Sequence, residues 1–298
     1  MNTRDTGYTT AQYGGVSVLV GAKQGAYPYG NSLLVRGATA SLVVDPSLSL
    51  VEAAPHADVV LVSHAHEDHI AGLGSYEVPV HIHEGDLEAL RSRDALVAGF
   101  GLPPEAVDGV DLAMRDEFHV HGRPDAAGFE DGTVFDLGGR TVTVVHLPGH
   151  TAGHSGFLIE PDGFLFVGDI DLTSFGPYYG DVGSSLVDFE ASMRRCREID
   201  AQWYGTSHQK GVVEGAGEFR RQLDAYVDVV AKREAALLAF LHEPRTVEEI
   251  VDHRWVYRPH VVGPQVRPVE RRTAVQHLDR LRSAGLVAEV EQGRFRAT

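Results

Sequence analysis

Ser63-His64-Ala65-His66-Glu67-Asp68-His69 places His64, His66, Asp68 and His69 directly after the apolar run Val59–Ser63. A continuous apolar run that ends abruptly at a polar cluster reads as a strand buried on both faces. Alternate residues of an extended chain point the same way, so His64 and His66 can converge on one point. Asp68 and His69, on the turn into the next helix, can then reach a second position beside the first. Imidazole and carboxylate suit zinc and other first-row metals. The ordinary alternative, a solvated histidine-rich loop, does not explain a repeated ligand spacing.

The same pattern recurs along the chain. Pro148-Gly149-His150-Thr151 follows a strand over Thr141–His146, Gly168-Asp169 follows one over Gly163–Val167, and His208 follows one over Trp203–Ser207. Each apolar run ends at one potential ligand, the layout expected of a site built on loops at one edge of a sheet sandwich. Further strands are read at Val16–Val20, Ser32–Val35, Ser41–Asp45 and Val78–His83. Helical spacing covers Glu84–Val97, Leu186–Ile199 and Glu218–Leu241, while Gly99–Asp131 reads as an insertion with a short helix and a loop. Thr246 and Glu249 have the spacing of a capping box ahead of a helix to Asp252. A loop over His253–Pro268 leads to a helix over Val269–Ala284 that Gly285 would end. Leu286–Glu291 and Arg294–Ala297 flank Gln292-Gly293 as a hairpin. Three helices and a hairpin describe a winged helix-turn-helix.

Taken in order, the HxHxDH segment, the PGHT segment, the Gly-Asp after a strand and the late lone histidine resemble the metallo-β-lactamase superfamily over roughly residues 14–215. The resemblance implies an α/β fold, an αββα sandwich, followed here by a small C-terminal winged-helix domain; the division is expected at 1–228 and 229–298. It implies that His64, His66 and His150 bind one metal, that Asp68, His69 and His208 bind a second, and that Asp169 bridges both. The cofactors expected are two divalent ions, Zn2+ first, with Fe or Mn permitted by the same ligand types. Two metals sharing a hydroxide would attack an ester, thioester or lactone, small or carrier-bound, with Asp68 placed to shuttle a proton and Asp169 essential to the site. The tail, Thr273–Val287 above all, resembles the C-terminal winged helix of the β-lactamase-like protein 2 group, which includes esterase-like, thioesterase-like and RNA-cleaving enzymes.

Charge weighs among these activities. The formal net charge of the 298 residues is −16. Residues 243–298 hold ten Lys+Arg and eight Asp+Glu, so the preceding body carries −18. Such a body repels polyanions at long range. A metal-dependent endoribonuclease of the same fold, or a non-catalytic winged-helix regulator that binds nucleic acid, is therefore disfavoured against a hydrolase of acyl compounds. Arg271, Arg272, Arg280 and Arg282 could give the last helix a basic face, but a wall over the site or a contact between copies is the favoured role of the tail. One cysteine, Cys196, cannot form an internal disulfide, and the opening stretch Met1–Tyr13 is polar. No signal peptide, no membrane span and a cytoplasmic location are expected; a homo-oligomer stays open.

Tyr178 and Tyr179, in a Gly/Pro-rich loop after Asp169, could overhang the site and offer a phenol O–H to an oxyanion; packing aromatics are the equal alternative. His154 is read as a loop histidine before a ligand-orienting one. His81, His83, His119 and His121 are left outside the site.

Overall fold

The computed structural model describes residues 7–298; the reading of the first six residues as free of a leader lies outside them. Among the described residues a seven-stranded sheet runs in chain order: β1 (Tyr8–Tyr13), β2 (Val16–Gly21), β3 (Asn31–Arg36), β4 (Ser41–Val44), β5 (Val59–Val62), β6 (Val80–His83) and β7 (Ala127–Phe129). A six-stranded sheet follows, from β8 (Val134–Asp136) through β9 (Thr141–His146), β10 (Ser155–Glu160), β11 (Phe164–Phe166) and β12 (Trp203–Gly205) to β13 (Val212–Glu214).

The strands are apolar on both faces because both faces are covered. In the first sheet Leu33, Val35, Leu42, Val44 and Leu61 meet Val142, Val144, Phe157, Phe164 and Phe166 of the second. Their strand neighbours Leu34, Val43, Val60 and Val62 point the other way, onto Leu90, Leu96, Val97 and Met114. Behind the second sheet, Val145, Leu165 and Tyr204 pack on Phe189, Met193, Phe219 and Leu223. The result is the expected αββα sandwich.

Several elements differ from expectation. The helix read over Glu84–Val97 is broken: Ser92 takes the N–H of Ala95 on its hydroxyl at 3.3 Å and starts a new helix, Arg93–Gly99. The insertion contains a longer helix than expected, Pro104–Asp116, with Pro at its first turn, where the missing N–H costs nothing. β1, β7, β8, β10 and β13 were not read. β1 is largely polar, β7, β8 and β13 are only three residues long, and β10, Ser-Gly-Phe-Leu-Ile-Glu, carries a glycine that weakens a strand pattern.

Beyond the sandwich, the helix Ala216–Phe240 passes residue 228 without a break. The helices Val247–His253 and Val266–Ser283 and a small sheet of β14 (Arg245–Thr246), β15 (Val287–Glu291) and β16 (Arg294–Ala297) complete an added C-terminal region. Its core is Leu237, Leu241, Ile250, Leu278 and Leu281. The capping box forms as read: Thr246 N–H donates to Glu249 Oε2 at 2.7 Å, and Glu249 N–H to Thr246 Oγ1 at 3.2 Å. No helix among the described residues is long and apolar enough to cross a membrane.

Candidate metal centre

The chain leaves β5, β9, β11 and β12 at the same edge of the sandwich, and a backbone bond from Ser155 N–H to Ser63 O (2.9 Å) ties the two sheets there. At that edge all seven expected ligands come together. His64 Nε2 lies 3.0 Å from His66 Nδ1 and 3.2 Å from His150 Nε2, and those two lie 3.0 Å apart. Asp169 reaches this group with Oδ2, 3.4 Å from His150 Nε2. Its Oδ1 points to the second group, 3.2 Å from His69 Nε2 and 3.7 Å from His208 Nε2. Asp68 Oδ2 lies 3.2 Å from His208 Nε2. The donor atoms of each group lie within 4.8 Å of one another, so the His/Asp cluster is able to hold metal ions.

Each imidazole is fixed from behind. His150 Nδ1 faces Tyr178 O at 3.0 Å, and His208 Nδ1 faces Gly25 O at 3.0 Å. A carbonyl only accepts, so both Nδ1 atoms carry a proton and both Nε2 atoms are turned toward the cluster. Ser63 Oγ donates to Asp45 Oδ2 (2.6 Å) and accepts from His64 Nδ1 (3.0 Å). Asp45 Oδ2 also holds His69 Nδ1 at 3.0 Å, and Asp181 Oδ2 holds His66 Nε2 at 2.7 Å. His154, fully buried, donates from Nδ1 to Leu147 O (2.8 Å) and accepts the Asp169 N–H on Nε2 (3.0 Å). It is a positioning residue for Asp169, the role ranked second from sequence. Gly168 makes this approach possible: its φ is +58°, and a Cβ there would run into the His154 ring.

Burial and charge divide the histidines. Burial holds His64 low and brings His150 and His154 down to about 4, so these three stay neutral. Burial also opposes charge on His66, but Asp181 outweighs it and raises that ring to about 9. Asp171 and Asp169 overcome burial at His208 and raise it to about 10; Asp68 and Asp169 raise His69 in the same way. Asp171 is itself raised to about 7 by burial and by Asp169. The buried His69 Nε2 and Asp169 Oδ1 face each other at 3.2 Å, and the buried Asp68 Oδ2 faces His208 Nε2 at 3.2 Å, without a well-formed hydrogen bond. Buried polar atoms are rarely left so. Three such atoms aimed at one centre fit a metal-binding role for these residues.

Sequence reading missed Asp45, Asp86, Asp171 and Asp181. Asp45 carries the same mark as Asp169, an apolar strand ending at an acid. Asp86 binds Ala65 N–H, Gly153 N–H and the Thr151 hydroxyl, at 3.2, 2.7 and 2.6 Å, and so joins the two ligand loops.

The two tyrosines separate. Tyr178 lines the cavity over the cluster and donates to Asp181 Oδ1 at 3.0 Å. Tyr179 corrects the expectation. Adjacent residues of an extended segment face opposite ways, and its ring is 1% exposed, its hydroxyl 2.8 Å from His277 Nε2 and 3.0 Å from Arg233 Nη1. It packs the C-terminal region onto the sandwich and offers nothing to an oxyanion.

The cavity encloses about 670 Å3. Tyr257, Val261, Pro264 and Gln265 of the C-terminal region complete its wall. The buried Glu270 carboxylate receives the N–H groups of Trp255, Val256 and Tyr257 at 2.7, 3.1 and 2.8 Å, and so sets this rim. In Glu270→Ala these amides lose their acceptor, and proteolysis within 254–265 becomes at least about tenfold faster, as a loss of about 1.4 kcal/mol requires; an unchanged cleavage rate would refute the anchoring role. The basic face that the sequence allowed as the less favoured role does not form: Arg271 pairs with Glu248, Arg280 with Glu190 at 2.7 Å and Glu234 at 3.0 Å, and Arg282 with Asp279 at 3.8 Å. Arg272 is turned into the protein, onto Phe100 O at 2.6 Å. Cys196 is buried and its thiol pushed up to about 12 by that burial.

Comparison with known proteins agrees with this architecture. Human acyl-coenzyme A thioesterase MBLAC2 is 27% identical over 194 residues, 57% of this chain and 67% of that one. The beta-lactamase-like protein 2 homolog of Drosophila melanogaster is 27% identical over 61% of this chain and 54% of its own. The metallo-beta-lactamase family protein TTHA1429 from Thermus thermophilus superposes with a TM-score of 0.71 over 95% of this chain and 99% of that one, at 24% identity, which speaks for the fold. The profile of the Metallo-beta-lactamase superfamily matches residues 27–208, more than half of the chain, from the loop before β3 to the last histidine of the cluster. The chain thus belongs to the metallo-beta-lactamase superfamily and is a hydrolase of that fold.

Proposed function

We propose that this hydrolase cleaves acyl thioesters, with two divalent ions held at the cluster: one by His64, His66 and His150, one by Asp68, His69 and His208, with Asp169 between them. The observation that carries the reading is the convergence of seven donors, three of them buried without a well-formed hydrogen bond, at the base of a cavity whose remaining wall is mostly apolar. Zinc suits the set, and iron or manganese could occupy it. The acyl class draws on the relatives' names: acyl-coenzyme A thioesterase, hydroxyacylglutathione hydrolase of Methylococcus capsulatus, 29% identical over 37% of this chain, and atrochrysone carboxyl ACP thioesterase of Paecilomyces divaricatus, 37% identical over 34%.

The bound ions would activate water and polarise the thioester carbonyl. The chain's own residues do the rest. Asp45, Asp181, Tyr178 O and Gly25 O hold the imidazoles in place. Asp68, whose Oδ2 faces His208 Nε2 at 3.2 Å on the cluster side, is placed to pass a proton to the departing sulfur. Tyr178 is placed to donate toward the carbonyl oxygen if it releases Asp181. The region after the helix Ala216–Phe240 acts as a cap on the catalytic unit, since it completes the cavity wall and Arg271, Arg272, Arg280 and Arg282 of its long helix are held within the fold. A small or carrier-bound acyl substrate and a cytoplasmic setting belong to the same reading. An endoribonuclease or a nucleic-acid regulator draws no support from a wall that, among the described residues, carries five carboxylates and neither Lys nor Arg.

Metal loading tests the ligand assignment. His66, His69 and His208 are held protonated near neutral pH in the metal-free protein, whereas His64 and His150 are already neutral. Loading must therefore expel protons from the first three, and affinity must rise with pH through the neutral range. Calorimetry in buffers of different ionisation enthalpy is expected to show release of up to about three protons. Metal uptake without proton release would overturn the assignment. Turnover of a thioester panel by the loaded enzyme tests the activity itself.

A further inference from the structure

The cavity has two ends of different chemistry. One is the His/Asp cluster. The other is walled by Phe100, Leu102, Val110, Met114 and Phe118 from the insertion and by Val261 from the C-terminal region. The apolar wall begins beside the cluster, where the Phe100 and His66 rings lie 6.2 Å apart, and extends to Phe118, 6.3 Å from the Tyr27 ring. Val110 and Met114 are four residues apart on the helix Pro104–Asp116 and so share the face turned to the cavity, while Leu112 is 49% exposed on another. The wall is also anchored: Arg272, from the last long helix, donates to Phe100 O and, at 3.3 Å, to Gly101 O. A volume of about 670 Å3 falls in the usual range for ligand pockets of about 300–1,000 Å3. With no Lys or Arg among the described residues of the lining, a charged group driven into the apolar end would meet no counter-ion there.

Resting on the thioesterase reading, we propose that the end of the cavity formed by residues 100–118 is an acyl-chain chamber, which makes the enzyme select uncharged medium-length acyl groups. Burial of each methylene in it raises kcat/KM by roughly fourfold, the equivalent of about 0.8 kcal/mol, until the chamber is full. A carboxylate at the far end of the chain abolishes that gain. The insertion is then a specificity element, and Met114 at its inner face limits chain length.

The test is a series of N-acetylcysteamine thioesters from acetyl to decanoyl, with suberoyl, which ends in a carboxylate, against octanoyl. Expected are a rise in kcat/KM along the series and a suberoyl value at least tenfold below octanoyl. Met114→Trp should lower the octanoyl-to-acetyl ratio at least tenfold, and Met114→Ala should move the optimum to longer chains, with both variants matched to wild type by circular dichroism. Binding of S-alkyl thioethers of N-acetylcysteamine to the metal-free protein, measured by calorimetry, reads the chamber without hydrolysis, and affinity should rise with chain length. A flat series, or two variants that scale every chain length alike, overturns the chamber. Chain-dependent thioether binding with no turnover of any thioester upholds the chamber and overturns the thioesterase reading instead.

Discussion

Asp169→Ala is expected to lower thioester kcat/KM by at least about a thousandfold and to reduce bound metal below two equivalents per chain. The expectation follows from where the carboxylate stands. Its two oxygens face two different groups of histidines, Oδ2 toward His150 and Oδ1 toward His69 and His208. Among the described residues Asp169 groups both with His64, His66 and His150 and with Asp171 and His208. Loss of a residue that merely orients a ligand costs about 10–100-fold, so loss of the shared ligand costs more. His154→Ala supplies the comparison. It leaves all seven ligands in place and removes the acceptor of the Asp169 N–H, and it should fall within that smaller range. Steady-state kinetics with elemental analysis of both variants decide the matter. An Asp169→Ala enzyme with a tenth or more of wild-type turnover would end the two-metal assignment.

Asp45→Ala should unfold most readily of the variants considered, with a loss of about 3–5 kcal/mol, the range for removing one partner of a buried charged network. Asp45 is fully buried and holds Ser63 N–H at 2.6 Å, the Ser63 hydroxyl at 2.6 Å and His69 Nδ1 at 3.0 Å. Truncation strands these donors in a site closed to water, where each unmade bond costs more than a made one gains. The damage spreads from stability to the ligands: Ser63 no longer orients His64, and His69 is free to turn. Urea denaturation of the metal-free protein should show the midpoint falling without a change in slope. Asp45→Asn keeps the shape but loses one acceptor, and it should fall between wild type and Asp45→Ala. Equal stability of all three would show that Asp45 does not organise the site.

The sequence made the ligands legible because each is a polar residue placed where an apolar run stops. Such a placement costs burial free energy, which makes it conspicuous. Asp45 bears the same mark, but one carboxylate among 42 acidic residues has no spacing partner to single it out. Asp181 gave no sign, because its contact with His66 spans 115 positions of chain and depends on how the loop folds. The tyrosine pair was undecidable for a related reason: Pro177-Tyr178-Tyr179 tells that one ring faces away from the other, but not which. The sandwich could be read from strands apolar on both faces. The insertion could not, since Pro104–Asp116 is rich in acids and shows only a narrow apolar face.

The 25-residue helix Ala216–Phe240 belongs to two cores at once. Phe219, Leu223, Tyr226 and Val230 pack behind the second sheet, and Leu237 anchors the C-terminal cluster. A lever built in one piece cannot fold at its middle without stranding backbone amides and carbonyls. The cap therefore has no hinge of its own. Substrate must fit a chamber of fixed outline, and heat should melt cap and sandwich together in one transition.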